Sequence, residues 1–243
     1  MFQYGGIDYT YLIYVLPAFI LSLIAQFLVK SRFAKYNKIE CKKGVSGAQA
    51  AAILLRANEI SDVKIAHISG SLTDNYNPSR KVLSLSDSTF SSRSIAAVGV
   101  AAHETGHAIQ HNKGYIPLAI RKLLVPVANF GSRFGPLLAL AGIIFGMNYE
   151  SNLAIFQLLT DIGLLLYGGA VLFYIITLPV EFNASRRALK ILKSAGVFVD
   201  NSEVRGARKV LTAAALTYVA SALTAIGSFI RLLLLSQRRN NRR

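Results

Sequence analysis

The sequence has little cysteine and little charge, and each shortage excludes a class of protein. Cys41 is the only cysteine among 243 residues, so the chain can form neither an intrachain disulfide nor a metal site with several cysteine ligands. Charged residues make up 16% of the chain, against about 25% in an average soluble domain. Hydrophobic residues make up 53% and lie in long uninterrupted runs, which is typical of an integral membrane protein.

Acidic residues are also scarce. The chain has 12 Asp and Glu residues and 27 Lys and Arg residues, which gives a formal net charge of +15. No zinc-finger, aromatic-basic or helix-turn-helix pattern accompanies this charge, so we expect no nucleic-acid partner. The basic residues cluster beside the apolar runs instead, as they do on the cytoplasmic flanks of membrane helices. We therefore expect the lipid bilayer to be the partner of these flanks.

Residues 1–29 contain no Lys or Arg and include an uncharged run, YLIYVLPAFILSLIAQFLV, at 11–29. A run of this length gives about 28 Å of helix, enough to cross a bilayer. Without a basic start or a cleavage site it does not resemble a signal peptide, so we predict a retained N-terminal membrane anchor. Basic residues follow at once, and they predict an outside N-terminus with the next segment in the cytoplasm.

Residues 30–122 are mixed in polarity and predict a small folded module. A helix is expected to begin near Ser46, in VSGAQAAAILLRANEI. Two strands, VKIAHIS and KVLSLS, are expected on either side of the turn-rich TDNYNPS. A long helix is then expected over SSRSIAAVGVAAHETGHAIQHNKG, with a serine as its N-cap and Gly114 beyond its end.

The rest of the chain predicts three more apolar helices. Two of them lie within 123–180 and form a transmembrane hairpin, whose short outside turn, NYESNLAIFQLLTD, has no Lys or Arg. Residues 181–209 predict a basic cytoplasmic loop. The last apolar run lies in 210–243 and either crosses the membrane or is re-entrant, because its basic tail favours the inside. The expected fold is a mainly α-helical integral membrane protein with about four transmembrane helices and a small α+β cytoplasmic module.

Three of the four histidines lie within nine positions of the long predicted helix, in AAHETGHAIQH at 101–111. His103 and His107 are four residues apart, which places them about 6 Å apart on one helix face, so both imidazoles can reach one ion. Glu104 lies between them in sequence. In this H-E-x-x-H arrangement the ion lowers the pKa of a bound water towards about 7 and the glutamate takes its proton. The motif predicts a metal-dependent hydrolase.

A catalytic zinc ion usually has three protein ligands, so the sequence must supply a third. Glu181 follows the third apolar run, in LPVEFNASRRALKIL, and the flanking charges return it to the side of His103 and His107. Its alternative role is a membrane-boundary carboxylate that pairs with a nearby arginine. His111, about 12 Å along the helix from His103, and His67, on a predicted strand, are the other candidates.

Two motifs, VGVAAHETGHAIQH and LPVEFNASRRAL, lie on either side of an apolar hairpin. In this order they resemble the bacterial membrane zinc peptidase family of the YugP type, also called neutral zinc metallopeptidases, over nearly the whole chain. The order is also similar to that of the heat-shock membrane protease and CAAX-prenyl endopeptidase families. The resemblance implies a zincin-like module with a gluzincin-type site, in which His103, His107 and Glu181 bind one Zn²⁺ and Glu104 is the catalytic base.

The chain departs from the family pattern beside these motifs. The turn DNYNP has Asn75 and Asn77 where the family more often has His and Asp, and Asn183 follows EF where Asp is frequent. The four principal residues are intact. The departures put in doubt any supporting role of Asp74 or Asn183 around the metal.

These observations together predict a multi-pass cell-membrane zinc endopeptidase with its active site on the cytoplasmic face. Its substrate would be a peptide or protein, including membrane proteins, that adds as a strand to a sheet edge such as KVLSLS. Two other interpretations stay open. A membrane scaffold or regulatory subunit with a structural metal site would need a fourth protein ligand, and a transporter would be expected to show paired repeats, which the chain lacks.

Overall fold

The computed structural model describes residues 9–148 and 152–240 as a mainly helical protein with one small sheet. The first eight residues of the predicted anchor, residues 149–151 of the predicted outside turn and residues 241–243 of the basic tail lie outside this part of the chain. In chain order the elements are α1 (Tyr9–Tyr14), α2 (Leu16–Tyr36), α3 (Gly47–Arg56), β1 (Lys64–Ile68), β2 (Asn75–Asn77), β3 (Val82–Ser86), α4 (Ile95–Asn112), α5 (Ile116–Asn148), α6 (Leu153–Ser194) and α7 (Asn201–Asn240).

Four helical segments are long and apolar enough to cross a membrane: Tyr9–Tyr36, Ile116–Met147, Leu153–Ser194 and Asn201–Gln237. A bilayer core of about 30 Å needs roughly 20 apolar residues in a helix, and each segment exceeds that length. The predicted fold class is confirmed to this extent, as a mainly helical protein with four candidate membrane helices and a small sheet.

The segment 181–209 is mainly helical, so the prediction of a basic loop was wrong. α6 continues through Pro179 and residue 181 to Ser194, and α7 begins at Asn201, so only residues 195–200 connect the two helices. Residues 153–161, which were predicted to belong to the outside turn, are also part of α6. Lys and Arg are good helix formers, so a basic stretch does not end a helix that leaves an apolar region.

The chain divides into two compact units, which we call the helical unit and the mixed unit. The helical unit comprises the described residues within 1–24, 120–177 and 218–243. Glycines allow its helices to approach closely, because a methyl group at Gly131 or Gly163 would overlap the backbone of Leu166 or Ala139. Such small residues are typical of contacts between membrane helices.

The mixed unit comprises residues 25–119 and 178–217, and its helix starts agree with the predictions. Ser46 caps α3 in a capping box, in which its hydroxyl accepts from the Gln49 backbone and the Gln49 side chain accepts from the Ser46 backbone. Ser94 caps α4 by accepting from the backbone N–H of Ala97. Gly114 follows α4 with a φ of +60°, the left-handed conformation that favours glycine after a helix.

The sheet of the mixed unit has three strands in the order β1-β3-β2. β1 and β3 run parallel, whereas β2 pairs antiparallel with β3. β2 lies inside the predicted turn, where the side chain of Asn77 accepts from the backbone N–H groups of Ser79 and Arg80 and closes the connection to β3. Since β3 is paired on both sides, the prediction that KVLSLS offers a free edge was wrong.

Helix α4 is packed on two sides, which holds its position. One side contacts a core that includes Phe33, Leu54, Leu192 and Val210, from α2, α3, α6 and α7. On the other side, Ala101 packs in a cluster with Leu83 and Leu85 of β3. The helix that carries the three clustered histidines is therefore a rigid support for a site.

Candidate metal centre

Three side chains from α4 and α6 converge in the mixed unit. The Nε2 atom of His103 lies 3.1 Å from Oε2 of Glu181, and the Nε2 atom of His107 lies 3.5 Å from the same oxygen. All three possible ligand atoms lie within 4.8 Å of one another. The Glu181 side chain is 2% exposed, and the two histidine side chains are 12% and 9% exposed. A buried carboxylate and two imidazoles thus face one point.

This arrangement fits a zinc ion. Bonds of about 2.0–2.1 Å in a tetrahedral site place neighbouring ligand atoms about 3.3–3.4 Å apart, close to the two separations from Glu181. Imidazole nitrogen and carboxylate oxygen are ligands that Zn²⁺ favours. Across residues 9–148 and 152–240, no fourth His, Cys, Asp or Glu joins the group. Three protein ligands leave a coordination position for water or substrate.

The absence of a side chain at Gly106 allows α4 and α6 to meet at this point. A Cβ atom at Gly106 would lie 2.7 Å from the backbone oxygen of Ala184. Real Cβ atoms do not approach a backbone that closely, so any other residue would push the helices apart. Gly106 lies beside His107, and Ala184 lies one helical turn after Glu181. The contact between these two small residues therefore sets the distance between the ligands of the two helices.

The second ring nitrogen of His107 is held by a buried amide. Its Nδ1 lies 3.0 Å from Oε1 of Gln110, which is completely buried. Gln110 Nε2 donates to the backbone oxygen of Val180 at 2.8 Å and to Oδ1 of Asn183 at 2.9 Å. Because Gln110 turns its oxygen to the ring, His107 Nδ1 must carry the proton, and its Nε2 lone pair is free for a metal.

Ser185 and Asn183 of α6 hydrogen-bond to side chains of α4 beside the ligand group. The Nδ1 atom of His103 lies 3.0 Å from the hydroxyl of Ser185, which orients the ring and leaves Nε2 towards Glu181. Asn183 Oδ1 accepts from Gln110 and also from Nε of Arg187 at 2.7 Å. An amide oxygen is sufficient for this double acceptor role, so asparagine can replace the aspartate that is frequent in the family.

Glu104 does not belong to the ligand group, although it lies next to His103 on α4. Burial raises the pKa of its carboxyl to about 7, against the opposing effect of the neighbouring His103. The Glu181 and Asp74 carboxylates raise this pKa further, whereas a hydrogen bond from the backbone of Tyr76 lowers it. Glu104 is thus close to both the ligand group and strand β2.

The other candidate ligands lie elsewhere. His111 Nδ1 is 2.9 Å from the hydroxyl of Tyr76, and His67 Nε2 is 2.6 Å from Oδ1 of the exposed Asp87. Neither histidine joins the ligand group. Asp74 accepts from the backbone and hydroxyl of Ser86 at 2.8 and 2.9 Å, so it supports the end of β3. Glu181 is the third candidate ligand that the structure supplies.

Sequence reasoning did not identify Gln110 or Ser185 as supporting residues. A signal was available for both, because Gln110 is three residues after His107 and Ser185 is four residues after Glu181. Residues at these spacings lie on the same face of a helix. The hydrogen bonds from Gln110 to α6 cross 70 or more residues of sequence, which no local pattern reveals.

Comparisons with known proteins agree with this geometry. Residues 11–237 match the model of the family described as "Putative neutral zinc metallopeptidase". The chain is 46% identical over 215 residues to "Putative membrane protease YugP" of Bacillus subtilis (strain 168), covering 88% of this chain and 91% of that protein. No solved structure matches the chain. The match over nearly the whole length means that this chain belongs to the neutral zinc metallopeptidase family.

Proposed function

We propose that the protein is a membrane-bound zinc-dependent endopeptidase, in which His103, His107 and Glu181 hold one Zn²⁺ and Glu104 is the general base. The observation that carries the proposal is the convergence of three largely buried ligand atoms, from two imidazoles and one carboxylate, beside a second carboxyl group that is not a ligand. The family to which the chain belongs supports the same chemistry. A structural metal site is not favoured, since such sites have four protein ligands.

The roles of the protein side chains follow from this geometry. When bound, zinc supplies a Lewis acid that acidifies water and polarises the scissile carbonyl. Glu104 takes a proton from the attacking water, whose oxygen bonds to the carbonyl carbon. Glu104 then gives this proton to the amide nitrogen as the C–N bond breaks, so one carboxyl group acts as base and then as acid. Gln110 and Ser185 keep the two imidazole rings oriented.

The proposed activity is tested by hydrolysis of an unstructured protein such as casein with the full-length protein purified in detergent. We expect cleavage that stops when a chelator removes the metal and returns when Zn²⁺ is added, because the ligand group supplies no other electrophile. Metal content is measured in each state. Full activity of the metal-free protein would contradict the proposal, and a fully zinc-loaded protein that cleaves nothing would favour a structural site.

We further propose that the substrate backbone pairs with β2 rather than β3. β2 is an outer strand, and the Tyr76 backbone is close enough to the Glu104 carboxyl to lower its pKa, so this strand lies near the general base. A peptide along β2 would present its scissile bond near Glu104. Main-chain hydrogen bonds to an edge strand would provide affinity with little demand on side chains.

Backbone pairing predicts a period of two along the substrate, because alternate amides of an extended strand point to opposite edges. We expect N-methylation of single amides in a cleaved peptide to raise KM at alternate positions by about fivefold, since each net hydrogen bond is worth about 1 kcal/mol. Measurement of KM over a set of singly methylated peptides tests this. A uniform effect at every position would argue for side-chain recognition instead.

We also propose that the active site faces the cytoplasm, on the basis of the Lys and Arg residues that flank the apolar segments. Cys41 is buried, so a cysteine introduced at the exposed Lys113 after α4 can act as the reporter. In intact cells we expect a membrane-impermeant maleimide to leave Lys113→Cys unlabelled, and to label it after lysis. Labelling of intact cells would place the site on the outer face.

A further inference from the structure

The mixed unit contains a basic groove that the proposed function does not use. It lies between the end of α6 and the beginning of α7 and has a volume of about 520 Å³, within the range of about 300–1,000 Å³ that is common for ligand sites. Leu189 and Val204 contribute apolar surface. The basic residues that line it are Arg186, Lys190, Lys193 and Arg208.

These four cations have no acidic partner within the residues that the structure describes, and all four are exposed. Lys193 donates only to the neutral side chain of Asn201, at 3.3 Å. The two acidic residues near the start of α7 are engaged elsewhere. Asp200 pairs with Lys42 at 2.7 Å, and the buried Glu203 accepts backbone N–H groups. The groove thus concentrates positive charge that only an external anion can neutralise.

The position of the groove along its two helices indicates the kind of anion. Arg186 lies six residues after the apolar run that ends at residue 180. Arg208 lies two residues before the apolar run that begins at residue 210. At about 1.5 Å per residue these two side chains begin about 9 Å and 3 Å beyond the apolar segments, whereas Lys190 and Lys193 begin about 15 Å and 20 Å beyond residue 180 and extend the positive charge towards the water. The headgroup layer of a bilayer extends roughly 5–7 Å from the hydrocarbon core, and long side chains bridge such differences.

We propose that the groove binds the phosphate headgroup of an anionic phospholipid such as phosphatidylglycerol. Each arginine guanidinium group can donate two parallel hydrogen bonds to two oxygens of one phosphate, whereas each lysine contributes a single positive charge. Basic pockets beside membrane helices are a known means of lipid recognition. This site is separate from the metal ligands, and its binding does not depend on the proposed peptidase activity.

The test is lipid binding by the full-length protein in detergent, followed by native mass spectrometry during titration with phosphatidylglycerol or with zwitterionic phosphatidylcholine. We expect the wild type to prefer phosphatidylglycerol by at least about tenfold, since several basic residues contribute together. The variant R186Q/K190Q/K193Q/R208Q should lose this preference. Raising the salt concentration should weaken it in the wild type.

A matched control removes the same charge from positions outside the groove. The variant K30Q/R32Q/R205Q/K209Q also loses two Lys and two Arg beside the apolar segments, and we expect it to keep the preference within about twofold. If the groove variant does not fold, the single variants Arg186→Gln and Lys190→Gln should each weaken binding by about two- to fivefold.

Three outcomes would overturn the inference. The groove variants could bind phosphatidylglycerol as the wild type does, or the control variant could lose the preference to the same extent, which would indicate general attraction by basic flanks. The third outcome comes from a competition experiment, in which glycerol 3-phosphate is added together with the lipid. If it binds as tightly as the lipid, the groove is a site for a soluble phosphate compound and not for a membrane lipid.

Discussion

Glu104→Gln is expected to abolish proteolysis while the protein keeps its metal. The amide cannot take a proton from water, and general acid–base catalysis contributes about 10²–10⁴-fold to a rate. We therefore expect kcat/KM for a peptide substrate to fall by about that factor. Zinc content should stay near that of the wild type, because Glu104 is not part of the ligand group. Both quantities can be measured on the same purified sample.

The control for this experiment is Glu59→Gln, which removes an equal charge from an exposed position that follows α3. It should leave both activity and zinc content unchanged, as surface substitutions usually do. If Glu104→Gln loses zinc together with activity, Glu104 is a ligand and the general base must be sought elsewhere. If it keeps both, the observed proteolysis comes from another site or from a contaminant.

Glu181→Gln is expected to lose the metal itself. Residues that only orient a ligand cost about 10–100-fold in metal affinity when they are removed, so loss of a direct ligand should exceed about 100-fold. A neutral amide is a weak replacement for a carboxylate on zinc, and the two histidines remain as an incomplete set. We expect zinc content after dialysis to fall well below that of the wild type, with activity falling in parallel.

Glu203→Gln provides the matched control, because Glu203 is as buried as Glu181, at 2% exposure. Its carboxylate accepts backbone N–H groups of Lys42, Val199 and Asp200 at 2.8–3.0 Å. The glutamine amide has one accepting oxygen where the carboxylate has two, so a backbone N–H group loses its hydrogen bond. We therefore expect lower thermal stability but unchanged zinc per folded molecule. If both variants lost zinc equally, disruption of the fold rather than ligand removal would explain the Glu181 result.

Local patterns in the sequence were sufficient for several parts of the fold and the site. Ser46 and Ser94 cap the helices that they were predicted to begin, because a cap is a contact within four residues. His103 and His107 face one point because their spacing matches one helical turn. Glu181 was predicted as the third ligand from the membrane topology that the flanking charges indicate. It lies beside the histidines because α6 extends into the mixed unit.

Other features depend on contacts between distant residues, which composition does not reveal. β2 has only three residues, and pairing with β3 rather than strand propensity makes it a strand. The same pairing places β3 in the middle of the sheet. The segment 181–209 was predicted to be a loop because its basic residues are typical of cytoplasmic loops, yet α6 remains helical through Pro179 and into this segment.

The contact between Gly106 and Ala184 has a consequence for other sequences and for protein engineering. The Gly106 position has no functional group, yet a single added methyl group would meet a backbone oxygen 2.7 Å away. In a related chain with a larger residue at the position of Gly106, the helix that carries the third ligand must lie farther from the two histidines. Metal affinity can therefore be graded at a residue that touches no metal, by changing the space between two helices rather than the ligands.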